Sequence, residues 1–196
     1  RQQCRAVYIH FLTAYPMATR KLEDELDFLL VNVRYEFPTG RQSCIEAMAC
    51  LLPKLPLEVI DGIAEAWFLA LAAQIAKETE AEVLQAILTT SHVLFNRLPP
   101  GKRKDNLELL LIRWITASPK LSVQRAAWKL FTPLLSSVSN PCLNELLIKS
   151  VDLISDESID SEFLEMLLQI LTESVKLSSN NDIDRLIKEA SASRFF

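Results

Sequence analysis

Glycine is scarce in this chain, at 3 of 196 residues. β-hairpin architectures need residues with positive φ in their turns, and glycine is the usual residue there. Strict alternation of apolar and polar residues is also hard to find, whereas leucine and alanine are abundant. Hydrophobic residues make up 49 % of the chain, which is enough for one sizeable core or a short repeat array. The composition therefore predicts an all-α protein.

A surplus of basic residues is also missing. Lys and Arg number 21 against 25 Asp and Glu, which gives a net charge of −4. Nucleic-acid-binding domains usually carry a basic surplus, so any contact with RNA or DNA would have to be a local patch. No apolar run reaches the roughly 18 residues that span a membrane, and we expect no signal peptide among the printed residues. Since apolar periodicity is already present by Val7, we expect a slice of a longer protein.

The four cysteines, Cys4, Cys44, Cys50 and Cys142, form no CxxC pair and match no zinc-ligand spacing. Three lie on predicted helices among apolar neighbours, and Cys142 lies in the first turn of another. A free cysteine behaves as a small hydrophobic residue, so we predict buried, reduced thiols. Reduced thiols fit a cytosolic or nuclear compartment.

Apolar residues recur at three- and four-residue steps, the spacing of one helix face. Proline, glycine and polar turns divide this pattern into ten predicted helices. The first ends near Tyr15, Phe37-Pro38-Thr39-Gly40 is a predicted turn, and Thr79-Glu80-Ala81-Glu82 has the form of a capping box that opens the fifth helix. The second, third and fourth helices are predicted at about 18–34, at 41–52 and from Pro56 onward.

The later helices are marked in the same way. The sixth carries Trp114, and the seventh begins near Val123 and contains Pro133, which should kink or shorten it. The eighth is predicted from Asn140-Pro141 through Ile154. The ninth carries Phe163 to Val175, and a short tenth follows through Ala190.

The connections between these helices are mostly two to six residues long, which forces neighbours to run antiparallel. The second helix then pairs with the third, the fourth with the fifth, the sixth with the seventh and the eighth with the ninth. Each pair takes about 40 residues, the period of HEAT or armadillo units. We predict one HEAT/armadillo-like α-solenoid segment over residues 1–196. A compact helical bundle is the alternative, and the even pair lengths and absence of a long crossover disfavour it.

A faint internal repeat supports this pairing. Arg1-Gln2-Gln3-Cys4 and Arg41-Gln42-Ser43-Cys44 open helices 40 residues apart, and Val123 to Ala127 begins a helix about two periods later. In HEAT-type units an arginine near the start of the second helix commonly reaches a neighbouring repeat. We therefore predict inter-repeat structural roles for Arg1, Arg41 and Arg125.

Signatures of catalysis are missing from the sequence. It has no Gly-rich phosphate loop, no GxSxG and no HExxH, and His10 and His92 stand on separate helices. We expect no enzyme activity, no metal or other cofactor and no small-molecule substrate. Trp67 and Trp114 lie in apolar stripes and are predicted core residues, whereas Trp128 lies beside its stripe and is predicted to be partly exposed.

One basic cluster has a possible function. Arg97, Lys102, Arg103 and Lys104 stand near the start of the sixth helix, where the helix dipole disfavours cations. An anion such as an RNA phosphate or an acidic partner would offset that cost. The alternative is a solvated loop that Asp105 partly neutralises.

Residues 1 to about 60 contain short motifs whose order and spacing resemble a known family. The motifs are Arg1-Gln2-Gln3-Cys4, Phe11-Leu12 with Tyr15-Pro16, Leu26-Asp27-Phe28-Leu29 with Asn32, and Tyr35-Glu36 before Gly40-Arg41. This block is similar to the central block of the down-regulated-in-metastasis family, the very large HEAT-repeat proteins of the small-subunit processome. Further on, Trp67 to Leu71 resembles the family's next helix, but Lys77-Glu78 stands where the family has an Asn-Asp turn.

The resemblance implies a nucleolar scaffold that assembles the small ribosomal subunit. Its expected partners are ribosome-assembly proteins and pre-ribosomal RNA or snoRNA, with no membrane partner and no catalytic site. From the residues alone a different HEAT-repeat adaptor for protein partners, such as a transport receptor or a kinase-associated scaffold, is the alternative. Co-purification with assembly factors and snoRNA, or with cargo or a kinase, would separate the two.

Overall fold

The structure, a computed structural model, describes residues 2–137, 146, 150, 153–154 and 160–177. Within these ranges the secondary structure is helical, and no β-strand occurs among them. The chain divides into two compact units, residues 1–105 and residues 106–196. The predicted all-α class is confirmed, whereas one continuous segment over residues 1–196 stays a prediction.

The first unit contains five complete helices and the start of a sixth. They are α1 (Gln2–Ala14), α2 (Thr19–Asn32), α3 (Pro38–Leu51), α4 (Leu57–Ile75), α5 (Ala81–Arg97) and the first turn of α6 (Lys102–Ala117). Helices α1, α3 and α5 pack side by side in one layer, and α2 packs against α4 in a second layer. Helix α2 also packs on α3, and α4 on α5, which are the two pairs that the connection lengths predict.

The core of this unit lies between the two layers. Trp67 and Phe68 of α4 are fully buried, and the Phe68 ring lies 6.2 Å from that of Phe95 on α5. Thr90 and Ser91 are buried polar residues of this core, and the Thr90 hydroxyl shares its proton between the carbonyl oxygens of Ala86 (2.7 Å) and Ile45 (3.1 Å). Because the second bond crosses from α5 to α3, the hydroxyl links neighbouring helices of one layer while satisfying its own buried oxygen.

The second unit contains the rest of α6, α7 (Leu121–Phe131), a 3-10 helix (Thr132–Ser137) and α8 (Ser161–Leu177). The 3-10 helix packs against both α7 and α8, which also contact each other. Helix α7 ends two residues before Pro133, because proline has no N–H to donate and clashes with the preceding turn. The predicted shortening of this helix is confirmed. Among described residues no helix combines the length and apolar character needed to cross a bilayer.

Two helix starts differ from the sequence prediction. Helix α3 begins at Pro38, in what we predicted as a turn, since proline is favoured in the first helical turn. Helix α5 begins at Ala81 after Glu80, with no side-chain cap, so the predicted capping box is wrong. The carboxylate of Glu78 instead accepts the backbone N–H groups of Thr79 and Glu80, each at 3.2 Å.

The predicted exposure of several side chains is also wrong. Trp128 is fully buried and meets the Phe131 ring edge-on at 6.3 Å, whereas Trp114 is only half-buried. Cys4 and Cys50 are free thiols as predicted but exposed. A helix turns by about 100° per residue, so apolar neighbours in sequence do not make a position face the core.

Some predictions fall outside the described residues. Arg1, Cys142 and the tenth helix lie wholly outside them. Of the eighth helix, only residues 146, 150 and 153–154 are described, and these are helical.

Candidate functional site

An arginine of α3 joins the two helix pairs of the first unit. Arg41 Nε and Nη2 donate to the two carboxylate oxygens of Glu78 at 2.7 and 2.8 Å, a bidentate pairing. Glu78 lies in the turn between α4 and α5. The remaining nitrogen, Nη1, donates to the carbonyl oxygens of Tyr35 (3.0 Å) and Glu36 (2.9 Å) in the turn between α2 and α3. One side chain thus connects the α2–α3 pair to the α4–α5 pair.

Glu78 is held as a carboxylate by this environment. Its side chain is 1 % exposed, and burial by itself would raise its pKa. Hydrogen bonds from Arg41, from Gln74 Nε2 at 2.9 Å and from the Glu80 amide outweigh burial and lower the pKa to about 2. The sequence singled out Arg41, but nothing in the local pattern of Glu78 identified it as the partner.

The second unit contains a related contact. Arg125 on α7 forms an ion pair with Asp160, and its guanidinium lies 5.3 Å from the centre of the Phe163 ring. Asp160 precedes α8, and its Oδ1 accepts the backbone N–H of Phe163 at 2.9 Å, the usual geometry of an N-cap. The Phe163 N–H and then Arg125 lower the pKa of Asp160. The Asp160 carboxylate therefore caps the start of α8 and also forms the ion pair with Arg125.

Sequence reasoning missed a third arginine. Arg5 on α1 forms an ion pair with Glu46 on α3, and Gln42 donates to the same carboxylate at 3.1 Å. Nearby, the Tyr8 hydroxyl donates to Glu25 on α2 at 2.9 Å. These contacts fasten α1 to both layers. Arg5 does not belong to the 40-residue repeat that pointed to Arg41, so its role could be identified only from the packing of α1 on α3.

The predicted basic cluster is brought together at the start of α6, but three of its members have partners within the first unit. Arg97 Nη2 donates to the carbonyl oxygen of Leu55 at 3.0 Å, and Arg103 Nε lies 3.0 Å from Asp61. The Lys104 ammonium lies 5.6 Å from the centre of the Phe95 ring. Lys102 is exposed, and the described residues show no ion pair at its side chain. An approaching anion would therefore meet Lys102 first, with the other cations already engaged.

An apolar groove between α2 and α4 was not predicted. It has a volume of about 550 Å³. The α2 wall consists of Leu30, Val31 and Arg34, and the α4 wall of Ala66, Leu69, Ala70 and Ala73. Val31 is 71 % exposed and Leu69 39 % exposed, so apolar surface is open to solvent here.

A second groove, of about 580 Å³, lies across α1, α3 and α5 and has more polar and charged residues in its lining. It is lined in part by Arg5, Glu46, Glu82 and Gln85. Arg5 and Glu46 form an ion pair with each other there. The described residues contain no cluster of His, Cys, Asp and Glu that could hold a metal ion.

Antiparallel helix pairs in two layers, joined by an arginine that passes from one pair to the next, define the first unit as a HEAT-like α-solenoid. No protein-family model matches the chain. It is 29 % identical to U3 small nucleolar RNA-associated protein 20 of Schizosaccharomyces pombe over 126 aligned residues, and these make up 64 % of this chain. It is 25 % identical over 169 residues to the protein of the same name from Saccharomyces cerevisiae, which covers 83 % of this chain.

The chain spans only a small part of these relatives, 5 % of the first and 7 % of the second. Neither relative is called down-regulated in metastasis, the family that residues 1 to about 60 resemble.

Proposed function

We propose that this chain is a non-catalytic scaffold segment of a protein that acts in small-subunit ribosome biogenesis. The supporting observation is the similarity over 83 % of the chain to a protein whose name associates it with U3 small nucleolar RNA. The motifs of the first 60 residues resemble a family of the same processome setting. A nuclear and nucleolar location belongs to this proposal.

The described structure suits a binding role. Stacked helix pairs present long surfaces on which several partners can be held at once. Polar contacts with low exposure, such as that of Arg41 with Glu78, join helices to one another. Their role is therefore to stabilise the helix packing rather than to catalyse a reaction. We therefore propose ribosome-assembly proteins as the main partners, with pre-ribosomal RNA or snoRNA at the basic cluster.

Co-precipitation from cells tests the setting. The full-length protein that contains this chain should be tagged and its bound RNA and proteins identified. We expect U3 small nucleolar RNA together with small-subunit assembly factors. Recovery of transport cargo or a kinase without U3 RNA would replace the proposal with the adaptor alternative.

A charge reversal tests the RNA contact. Lys102→Glu in the full-length protein should weaken binding to pre-ribosomal RNA and reduce the salt slope of log K by about 1 for each phosphate that is no longer neutralised. Lys54→Glu is the matched control, because Lys54 is exposed and lies outside the basic cluster. Equal effects of the two substitutions would reject the basic cluster as the RNA-binding surface.

A further inference from the structure

The groove between α2 and α4 has the features of a protein-binding site. We propose that it binds one amphipathic helix of a partner protein, which places an acidic side chain at Arg34 and a basic side chain at the opposite end. This goes beyond the proposed function and does not depend on it, because it follows from the shape and charge of the first unit.

The shape of the groove fits a helix. The α4 wall is formed by residues 66, 69, 70 and 73, the i, i+3, i+4, i+7 pattern of a continuous helix stripe. At 1.5 Å per residue this stripe is roughly 10 Å long, which matches about two turns of a docked helix. Three of its four residues are alanine, so a partner backbone can approach α4 closely.

The apolar surface continues along α2 beyond the groove lining. Phe28 is 57 % exposed and stands three residues before Val31 on the same helix. This spacing puts both side chains on one face of α2. A contiguous exposed apolar stripe flanked by charge is typical of an interaction site rather than of a plain solvent-facing helix.

The charges at the two ends of the groove differ in sign. Arg34 lines the groove just after α2, is exposed, and has no ion pair within the described residues. Asp27 lies on α2, one turn before Val31, and Glu65 lies one turn before Leu69 on α4; both are exposed. Since α2 and α4 are separated by two short reversals they run in the same direction, so both carboxylates lie toward the end opposite Arg34.

This distribution of charge favours an amphipathic helix over a small metabolite or RNA as the ligand of the groove. A small metabolite needs several convergent polar groups, and the lining residues include a single charged side chain. RNA could stack on Phe28, but Asp27 and Glu65 would repel its phosphates. An amphipathic helix with an acidic and a basic side chain two turns apart satisfies both ends and covers the apolar stripe between them.

Synthetic peptides test this on the 196-residue chain. The probe is a labelled, alanine-based helical peptide of about 18 residues with an apolar stripe, one Lys and one Glu two turns apart. The comparison peptide has Lys at both positions. By fluorescence anisotropy we expect the Lys/Glu peptide to bind about fivefold more tightly to the wild type, and Arg34→Glu to reverse the order. Equal affinities, an unchanged order in the variant, or no binding of either peptide would overturn the proposal.

Blocking variants locate the site. Ala66→Trp should fill the exposed groove and abolish peptide binding, and Val31→Glu should weaken it. Val7→Glu is the matched control, because Val7 on α1 is 70 % exposed and Val31 is 71 % exposed. Circular dichroism checks that each variant keeps its helix content. If Val7→Glu lowers affinity as much as Val31→Glu, the peptide binds apolar surface in general, and the groove is excluded as its site.

Photocrosslinking identifies the natural occupant in the full-length protein. A benzophenone amino acid at position 31 should crosslink to a helical segment of another protein that has an acidic residue beside its apolar stripe, and Ala66→Trp should remove that product. A crosslink to RNA, or to a second copy of the same chain, would contradict the proposal. U3 RNA recovery is measured separately, so the two proposals fail independently.

Discussion

The contact between Arg41 and Glu78 gives the sharpest test of how the helix pairs are joined. Glu78→Gln keeps the size of the side chain and removes its charge. The guanidinium of Arg41, which is 13 % exposed, then has no counter-ion in its bidentate site, and the amides of Thr79 and Glu80 no longer have a charged acceptor. We expect the first unit to lose stability.

The magnitude follows from the pKa. The pKa of Glu78 falls from 4.5 to about 2, which corresponds to roughly 3 kcal/mol at about 1.4 kcal/mol per pKa unit. The pair lies at a turn that solvent reaches through Arg41, so screening reduces this figure. We expect Glu78→Gln to lower the free energy of unfolding by about 2 kcal/mol near neutral pH.

The pH dependence has a definite sign. Because the pKa of Glu78 is lower in the folded protein, its contribution is fully present above the unfolded value of 4.5 and is lost as the pH falls toward about 2. The stability difference between wild type and Glu78→Gln should therefore shrink over this interval. Urea unfolding followed by circular dichroism at several pH values measures it, and hydrogen exchange locates the change in α3 to α5.

Glu80→Gln is the control for this experiment. Glu80 lies in the same turn and is exposed; its backbone amide donates to Glu78, and its carboxylate acts on Arg41 by charge alone, as the last of the causes that shift the Arg41 pKa. Its substitution should change stability little. Equal losses in the two variants, or a difference that persists down to about pH 2, would refute the electrostatic account of the contact.

Three further substitutions test local features. Gly40→Ala should destabilise the chain in urea unfolding, because an added Cβ would lie 2.3 Å from Tyr35 Cδ1. In a Tyr35→Ala background the same change should instead stabilise the chain by roughly 1 kcal/mol, since alanine favours a helix more than glycine does. Stabilisation in both backgrounds would contradict the ring contact. Thr90→Val should cost about 1 kcal/mol in the same assay, since the buried hydroxyl forms two hydrogen bonds, and no loss would mean that these bonds add nothing. Asp160→Ala should speed hydrogen exchange of the Phe163 amide, and unchanged exchange would reject the cap.

The helices could be predicted from the sequence because helix periodicity is a local property. Apolar residues at three- and four-residue steps identified α4 and α5, and Pro133 marked the end of α7 within two residues. The failure at the start of α5 has a physical cause. Thr79 and Glu82 matched a capping box, but the Thr79 amide that the Glu82 carboxylate would have bound is taken by Glu78, whose position depends on Arg41, 37 residues earlier.

Exposure depended on neighbours that the sequence does not identify. Trp128 beside Lys129 looked partly exposed and is fully buried, while Cys4 and Cys50 looked buried and are exposed. A residue's own helix determines only the direction in which its side chain points. Whether another helix covers that direction is decided by which helices pack together in the fold.

By itself the sequence determined the helical class, the pairing of α2 with α3 and of α4 with α5, and the position of Arg41, because short connections and local spacing leave little choice. Only the tertiary structure decided that Arg41 meets Glu78, that three of the four basic-cluster residues already have partners, and that Val31 and Leu69 share an open groove. Each of these depends on which distant helices become neighbours, and residue spacing along one helix does not specify that choice.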